Sequence, residues 1–307
     1  MFTKKIVIIT HDDFANSANF AGDAIRSLCA ECRVISVCKH PYQYPQDVVV
    51  KEDGVQRAND IIEDADIIHF WNNAPLYPGL HIPDDKMHSW TFTGSWYRQE
   101  HTEINKKLRA KNIAVTVQNP SYRYWTEIDS VFIPHAVPID LIKCYEADDI
   151  ITKSIGTYYQ NKSNKTTAYA DVQELKKMLA EHHPDWSVYF EDQKMPWPER
   201  IKQLSRMAYY FEYTDKNMGW FGRSALEATT LGIPVFSYYS NRSLVLTGNY
   251  FDDFPIPIIR CENVSDVAQY LRDDVDVVPV PVLTAWIKKF FSYDKVGLRY
   301  LEFFESL

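Results

Sequence analysis

The stretch GWFGRSALEATTLGIPVFSYYS, Gly219 to Ser240, gathers residue types that could hold a phosphorylated ligand. The turn Gly219-Trp220-Phe221-Gly222 should lead into a helix beginning at Arg223 or Ser224. The first backbone N–H groups of such a helix, together with its positive dipole end, suit a diphosphate or a sugar hydroxyl. Glu227 follows about one turn into that helix, where a carboxylate can accept both hydrogen bonds of a vicinal diol such as a ribose. Read alone, the same acid also fits the solvent-facing position of an amphipathic helix.

A second set lies nearer the N-terminus. Asp12 and Asp13, in HDDFANS directly after the first apolar run, could orient or deprotonate an acceptor hydroxyl, while Asp13 or Asn16 could equally cap the following helix. SWTFTGSWYR and NPSYRYW mix aromatic residues with arginine. Trp96, Arg98, Tyr122 and Arg123 are candidates for stacking on a sugar or a base, with core filling as the competing use.

Several chemistries lack support. After the first apolar run only Gly22 is available, so there is no G-x-G-x-x-G, and there is no G-x-x-x-x-G-K-[ST], G-x-S-x-G or H-E-x-x-H. Acidic residues come as adjacent pairs such as Asp84-Asp85 and Asp148-Asp149, which point apart on a strand or helix, so no D-x-D metal site is expected. Cys29-Ala30-Glu31-Cys32 matches C-x-x-C without a second pair for zinc, and it falls where a helix gives way to a strand.

The elements that must position these residues alternate. KKIVIIT, RVISVC, DIIHFW, SWTFTG and IAVTVQ read as strands; NSANFAGDAIRSLCA, VQRANDIIEDA and QEHTEINKKLRAKN, between them, read as helices. This alternation implies βαβ units and a parallel sheet covered on both faces. VFIPHAVPIDL, with two prolines, reads as a linker or hinge. The pattern then restarts with DIITKSIGTYY, YADVQELKKMLAEH, WSVYFE, PERIKQLSRM and AYYFEY, and one or two helices close the chain. Residues 1–140 and 141–282 are therefore expected to form two α/β domains, with 283–307 packing back on the first. The carboxyl ends of their strands are expected to border a shared cleft.

The segment Gly222-x-x-x-Leu226-Glu227-Ala228-x-x-x-Gly232-x-Pro234-Val235 resembles the donor-binding signature of nucleotide-sugar glycosyltransferases of the GT-B fold, especially the retaining glycosyl transferase group 1 family. VFIPHAVPID is similar to that family's interdomain segment I-P-N-G-[VI]-D, and ADIIHFW to its D-[VI]-[VI]-H strand. The resemblance implies two Rossmann-like α/β/α domains facing a central cleft, with Glu227 on the nucleotide ribose and the amides of the glycine-rich turn on the sugar. SIGTYYQNKSNKTT is similar to the first strand and loop of the family's donor domain, which implies Gly156 at the donor and Lys162 or Lys165 on the diphosphate. The sequence departs from the family at three points. Gly219 stands where a second Glu is usual, Thr157 where an arginine is usual, so that Arg223 becomes the candidate cation, and Thr93-Gly94 where a histidine lies near the reacting sugar.

The implied activity is transfer of a sugar from a nucleoside-diphosphate sugar to an acceptor hydroxyl of a glycan or lipid-linked saccharide, with retention. No metal or other cofactor is required, because cations and a helix dipole can balance the leaving diphosphate. Closure about Pro134 to Asp140 would exclude water. Phage-type glucosylation of a hydroxymethylated DNA base is a rival, favoured by the basic KKLRAK and disfavoured by a net charge of −8. A catalytically silent nucleotide-sugar-binding or scaffold protein is the other. The 307 residues, 46% of them hydrophobic and 24% charged, suit two soluble domains; no apolar run reaches the length of a membrane span, and the odd cysteine count points to reduced thiols in a cytoplasmic setting. Base, sugar and oligomeric state are not legible at this level.

Overall fold

The computed structural model describes residues 2–73, 77–158, 168–191, 195–212, 219–251, 254–272 and 278–307. The chain divides into two compact units, one of Met1–Val137 with Phe291–Leu307, the other of Pro138–Phe290. Against the sequence-based boundaries, the first break moves from 140 to 137 and the last from 282 to 290.

In the first unit the strands are β1 (Ile6–Thr10), β2 (Cys32–Ser36), β3 (Val48–Val49), β4 (Ile67–Trp71), β5 (Met87–Phe92), β6 (Ala114–Val117) and β7 (Ser130–Phe132). They form one parallel sheet in the order β3-β2-β1-β4-β5-β6-β7. Its helices are α1 (Ser17–Arg26), α2 (Val50–Asp53), α3 (Val55–Asp64), α4 (Ser95–Ala110) and the last helix of the chain, Tyr293–Glu305. β1 is apolar throughout because helices cover both faces of the sheet. On one face Val7, Ile9, Ile35, Ile68 and Phe70 pack with Ala58 and Ile62 of α3. On the other, the His69 ring meets Tyr300, Phe303 and Phe304 of the last helix.

His69 is entirely buried, and burial pushes its imidazole down to about 3, so it is neutral. Its Nδ1 lies 2.7 Å from Ser89 Oγ and its Nε2 2.6 Å from Thr91 Oγ1, which makes it a satisfied core residue. The last helix approaches α1 closely at Gly297, where a Cβ would fall on the Ala24 carbonyl oxygen. Gly297→Ala is therefore expected to destabilise this unit by about 1–3 kcal/mol through overpacking, read as a lower urea midpoint. An unchanged midpoint would mean that the two helices part without loss.

The second unit comprises α5 (Ile139–Lys143), β8 (Ile151–Tyr158), α6 (Ala168–His182), β9 (Ser187–Glu191), α7 (Trp197–Leu204), β10 (Met207–Phe211), α8 (Arg223–Thr230), β11 (Val235–Ser237), α9 (Asn241–Leu246), β12 (Ile259–Arg260), α10 (Val264–Arg272) and α11 (Val280–Phe291). The Tyr293–Glu305 helix is α12. The sheet is parallel, in the order β12-β11-β10-β8-β9. Ile155, Phe211 and Phe236 pack with Leu175 and Leu179 of α6 and Val264 and Val267 of α10.

Two differences from the sequence reading concern the ends of the units. Val131 and Phe132 belong to β7 rather than to a linker, and α11 falls in the second unit while α12 packs on α1 in the first. Among the described residues no helix is long and apolar enough to cross a membrane. The five cysteines form no disulfide.

Candidate functional site

In the second sheet the strand order reverses between β8 and β10, and the carboxyl ends of such strands are where open α/β sheets receive ligands. The Gly219–Gly222 turn lies at that edge, just before α8. Gly219 has φ +57°, which glycine tolerates best, and its carbonyl accepts the Ser240 N–H at 3.0 Å. Trp220 and Phe221 stack with centroids 4.3 Å apart, Trp220 against Phe251 and Phe221 against Trp286. Phe221 was expected at the donor; its side chain is buried and serves as an anchor for the turn. Among the described residues no side chain caps α8, and Ser224 stands half-buried in its first turn.

Behind the turn lies a carboxyl group that the sequence did not single out. Glu212 follows β10 and is buried; its Oε2 accepts the Gly222 N–H at 2.8 Å and the Ser237 hydroxyl at 3.1 Å. Burial pushes this acid up to about 7, against the pull of both hydrogen bonds. A Cβ at Gly222 would lie 2.8 Å from Glu212 Oε1, so a larger residue there would have to shift the Glu212 carboxyl group.

The structure corrects the reading of Glu227. It is 0% exposed, so it is neither a solvent-facing position nor a carboxylate open to a ribose. Trp197 Nε1 donates to its Oε1 at 2.9 Å, Arg223 Nε to the same oxygen at 3.2 Å, and the Arg200 guanidinium to Oε2. Arg223 is thereby corrected as well: its buried guanidinium pairs with Glu227, four residues along α8, and is not presented to a diphosphate. Arg200 also lies over the Tyr158 ring, 5.3 Å from its centroid, while its carbonyl accepts the Tyr158 hydroxyl at 2.9 Å. The cluster thus ties the starts of α7 and α8 to the end of β8.

Gly156 is not in a ligand loop but inside β8, opposite Tyr189 and Tyr210, where a Cβ would meet Met207 at 2.8 Å. Lys162 and Lys165 lie outside the described residues.

In the first sheet the order reverses between β1 and β4. The two acids after β1 separate in role. Asp13 is buried and accepts the N–H groups of Ala18 at 2.7 Å and Asn19 at 2.9 Å, so it caps α1 and is corrected from a catalytic candidate to a structural one. Asp12 is exposed, with His11 Nδ1 3.0 Å from its Oδ2. Thr93 is half-buried after β5, its N–H donating to Asn72 Oδ1 at 2.7 Å. Asn72, at the end of β4 with φ +54°, holds that turn and was missed by sequence reasoning.

Of the acceptor candidates, Tyr122 is a correction. It is fully buried, its hydroxyl donates to the Gly94 carbonyl at 2.7 Å, and its ring packs on Tyr97 and Trp125. Trp96, Arg98 and Arg123 are half-buried.

Comparison with protein-family models gives no match, and comparison with curated protein sequences gives none. Solved structures do match. Anabaena Alr3699/HepE, solved in complex with UDP-glucose, aligns at a TM-score of 0.62 with 11% identity over 99% of this chain and all of its own. A glycosyltransferase from Rickettsia africae ESF-5 aligns at 0.59 with 12% identity, covering 99% of each chain. AviGT4, a glycosyltransferase involved in avilamycin A biosynthesis, aligns at 0.59 with 10% identity over 99% of this chain and 97% of its own. At such identities it is the architecture that is shared: the chain has the GT-B fold found among glycosyltransferases.

Proposed function

We propose that the chain is a nucleotide-sugar-dependent glycosyltransferase that moves a sugar to an acceptor hydroxyl of a glycan or lipid-linked saccharide, with retention. The observation that carries this reading is the start of α8, capped by no described side chain, behind a glycine-rich turn at the carboxyl edge of the second sheet of a GT-B fold. In this reading the amides of that first turn and the Ser224 hydroxyl receive the donor, and Lys162 or Lys165 balances the leaving diphosphate. Arg200, Glu227 and Arg223 act from beneath as positioning residues. The first unit holds the acceptor, with Asp12 orienting its hydroxyl and Trp96, Arg98 and Arg123 nearby. Transfer of this kind needs no metal at the diphosphate.

The test is a thermal shift against UDP, GDP, dTDP, CMP and ADP with their sugar conjugates, UDP-glucose first because the HepE structure holds it. A ligand at a hundred times its Kd stabilises the native state by about 2.7 kcal/mol, so one nucleotide class should raise the melting temperature by several degrees. Gly222→Ala should abolish that rise, because its Cβ displaces Glu212 or the turn. A flat response to every nucleotide sugar overturns the reading. Donor binding without release of diphosphate, with any acceptor, would favour a silent binding protein.

A further inference from the structure

β1 and β2 end in register, Thr10 opposite Ser36, so the residues just beyond them leave the sheet side by side. The Cys38 N–H donates to the His11 carbonyl at 3.2 Å and fixes this pairing. As a result an imidazole nitrogen of His11, a carboxylate oxygen of Asp12 and the sulfur of Cys38 all lie within 4.8 Å of one another. From this juxtaposition we propose that His11, Asp12 and Cys38 form a binding site for a divalent cation of the zinc class at the carboxyl edge of the first sheet.

The donor set decides the class of ion. One nitrogen, one oxygen and one sulfur form a borderline-soft set suited to zinc, whereas calcium and magnesium take oxygen ligands. A tetrahedral zinc with bonds of about 2.0–2.3 Å holds its ligand atoms roughly 3.3–3.6 Å apart; His11 Nδ1 and Asp12 Oδ2, at 3.0 Å, are already that near, and any separation as wide as 4.8 Å must close by about an ångström. None is held back by burial, since His11 and Cys38 are half-buried and Asp12 is exposed. The cluster favours a cation beside it: Cys38 first, and Asp12 to a smaller degree, raise the ammonium of the exposed Lys51. Lys51 would swing into water as the metal enters. The other cysteines are placed differently, with Cys32 and Cys261 buried and Cys29 and Cys144 exposed outside any such group among the described residues. Three protein ligands leave a fourth position open for water or a substrate oxygen. On the glycosyl-transfer reading that position borders the acceptor, but the binding itself is independent of it.

The experiment uses the full chain, stripped with EDTA and titrated with Co²⁺ as the probe. A thiolate-to-cobalt charge-transfer band in the near ultraviolet is expected, saturating at one equivalent and displaced by Zn²⁺. The band should vanish in Cys38→Ser, persist in the Cys29→Ser/Cys144→Ser double variant, and require at least tenfold more Co²⁺ in His11→Ala. Lys51→Met should bind more tightly than the native chain, because a competing cation is gone. Circular dichroism of each variant checks that it is folded, and Zn²⁺ calorimetry on native chain and Cys38→Ser gives a second readout. No band at one equivalent, a band surviving Cys38→Ser in folded protein, or one lost in the Cys29/Cys144 variant overturns the site. These results contain no measure of sugar transfer, so they leave that reading untouched either way.

Discussion

Glu227→Ala should lower the melting temperature of the chain by roughly 6–20 °C. The residue is wholly buried, with two arginine side chains and an indole N–H donating to it. Removing the carboxylate takes from the buried Arg200 and Arg223 guanidinium groups the acid that both pair with. Breaking a buried ion pair from one side costs about 3–5 kcal/mol, and each kcal/mol corresponds to about 2–4 °C for a unit of this size. Glu227→Gln should fall between, because an amide oxygen can still accept from one guanidinium and from Trp197. Pairing Glu227→Met with Arg200→Met should restore part of the loss, since an apolar replacement of both removes, along with the acid, one of the two buried charges that paired with it. A Glu227→Ala variant melting within a degree or two of the native chain would show that the cluster is not a stabilising unit. Where the variant is destabilised as expected, loss of donor binding follows from a displaced α8 and does not identify a ribose contact.

The correction at Glu227 marks where sequence reasoning stops. Within the stretch from Gly219 to Ser240 the turn, helix and strand were legible, because glycine, helical spacing and Gly-Ile-Pro are local signals. Besides Arg223, the partners of Glu227 are Trp197 and Arg200, about thirty residues earlier on another helix, and no periodicity in α8 reveals which of its faces they cover. Glu212 was hidden in the same way, at the end of an aromatic strand, with its partners Gly222 and Ser237 brought to it only by the fold. The main strands were visible as apolar runs such as Ile6–Thr10, buried on both faces. Val48–Val49 and Ile259–Arg260, two residues each, are too short to carry a period, and Ser130–Phe132 is masked by the prolines that follow. At HDDF the capping reading of Asp13 was available from local rules, but choosing between the two acids required knowing that Asp13 turns inward.

Glu212 gives the second large effect, a stability that falls as pH rises through neutrality. Its carboxyl group is raised from 4.5 to about 7 in the folded chain by burial alone, because the Gly222 N–H and the Ser237 hydroxyl both favour the ionised form. Between those values the folded state holds a proton that the unfolded state has released, so stability declines with increasing pH. The contribution is fully present below about 4.5 and is lost as pH passes about 7; the span corresponds to about 3 kcal/mol. Glu212→Gln removes the titration while keeping an oxygen for Gly222 and Ser237. Urea unfolding of both proteins from pH 5 to 8 should therefore show the variant gaining on the native chain by about 2.5 kcal/mol, and a difference that does not change with pH would mean that the acid titrates normally. A nucleotide diphosphate held at the start of α8 would meet the same charge. Its affinity should fall above pH 7 in the native chain and stay level in Glu212→Gln, because only the native chain acquires a carboxylate behind the Gly222 amide. Equal pH dependence in both would place the diphosphate away from this turn.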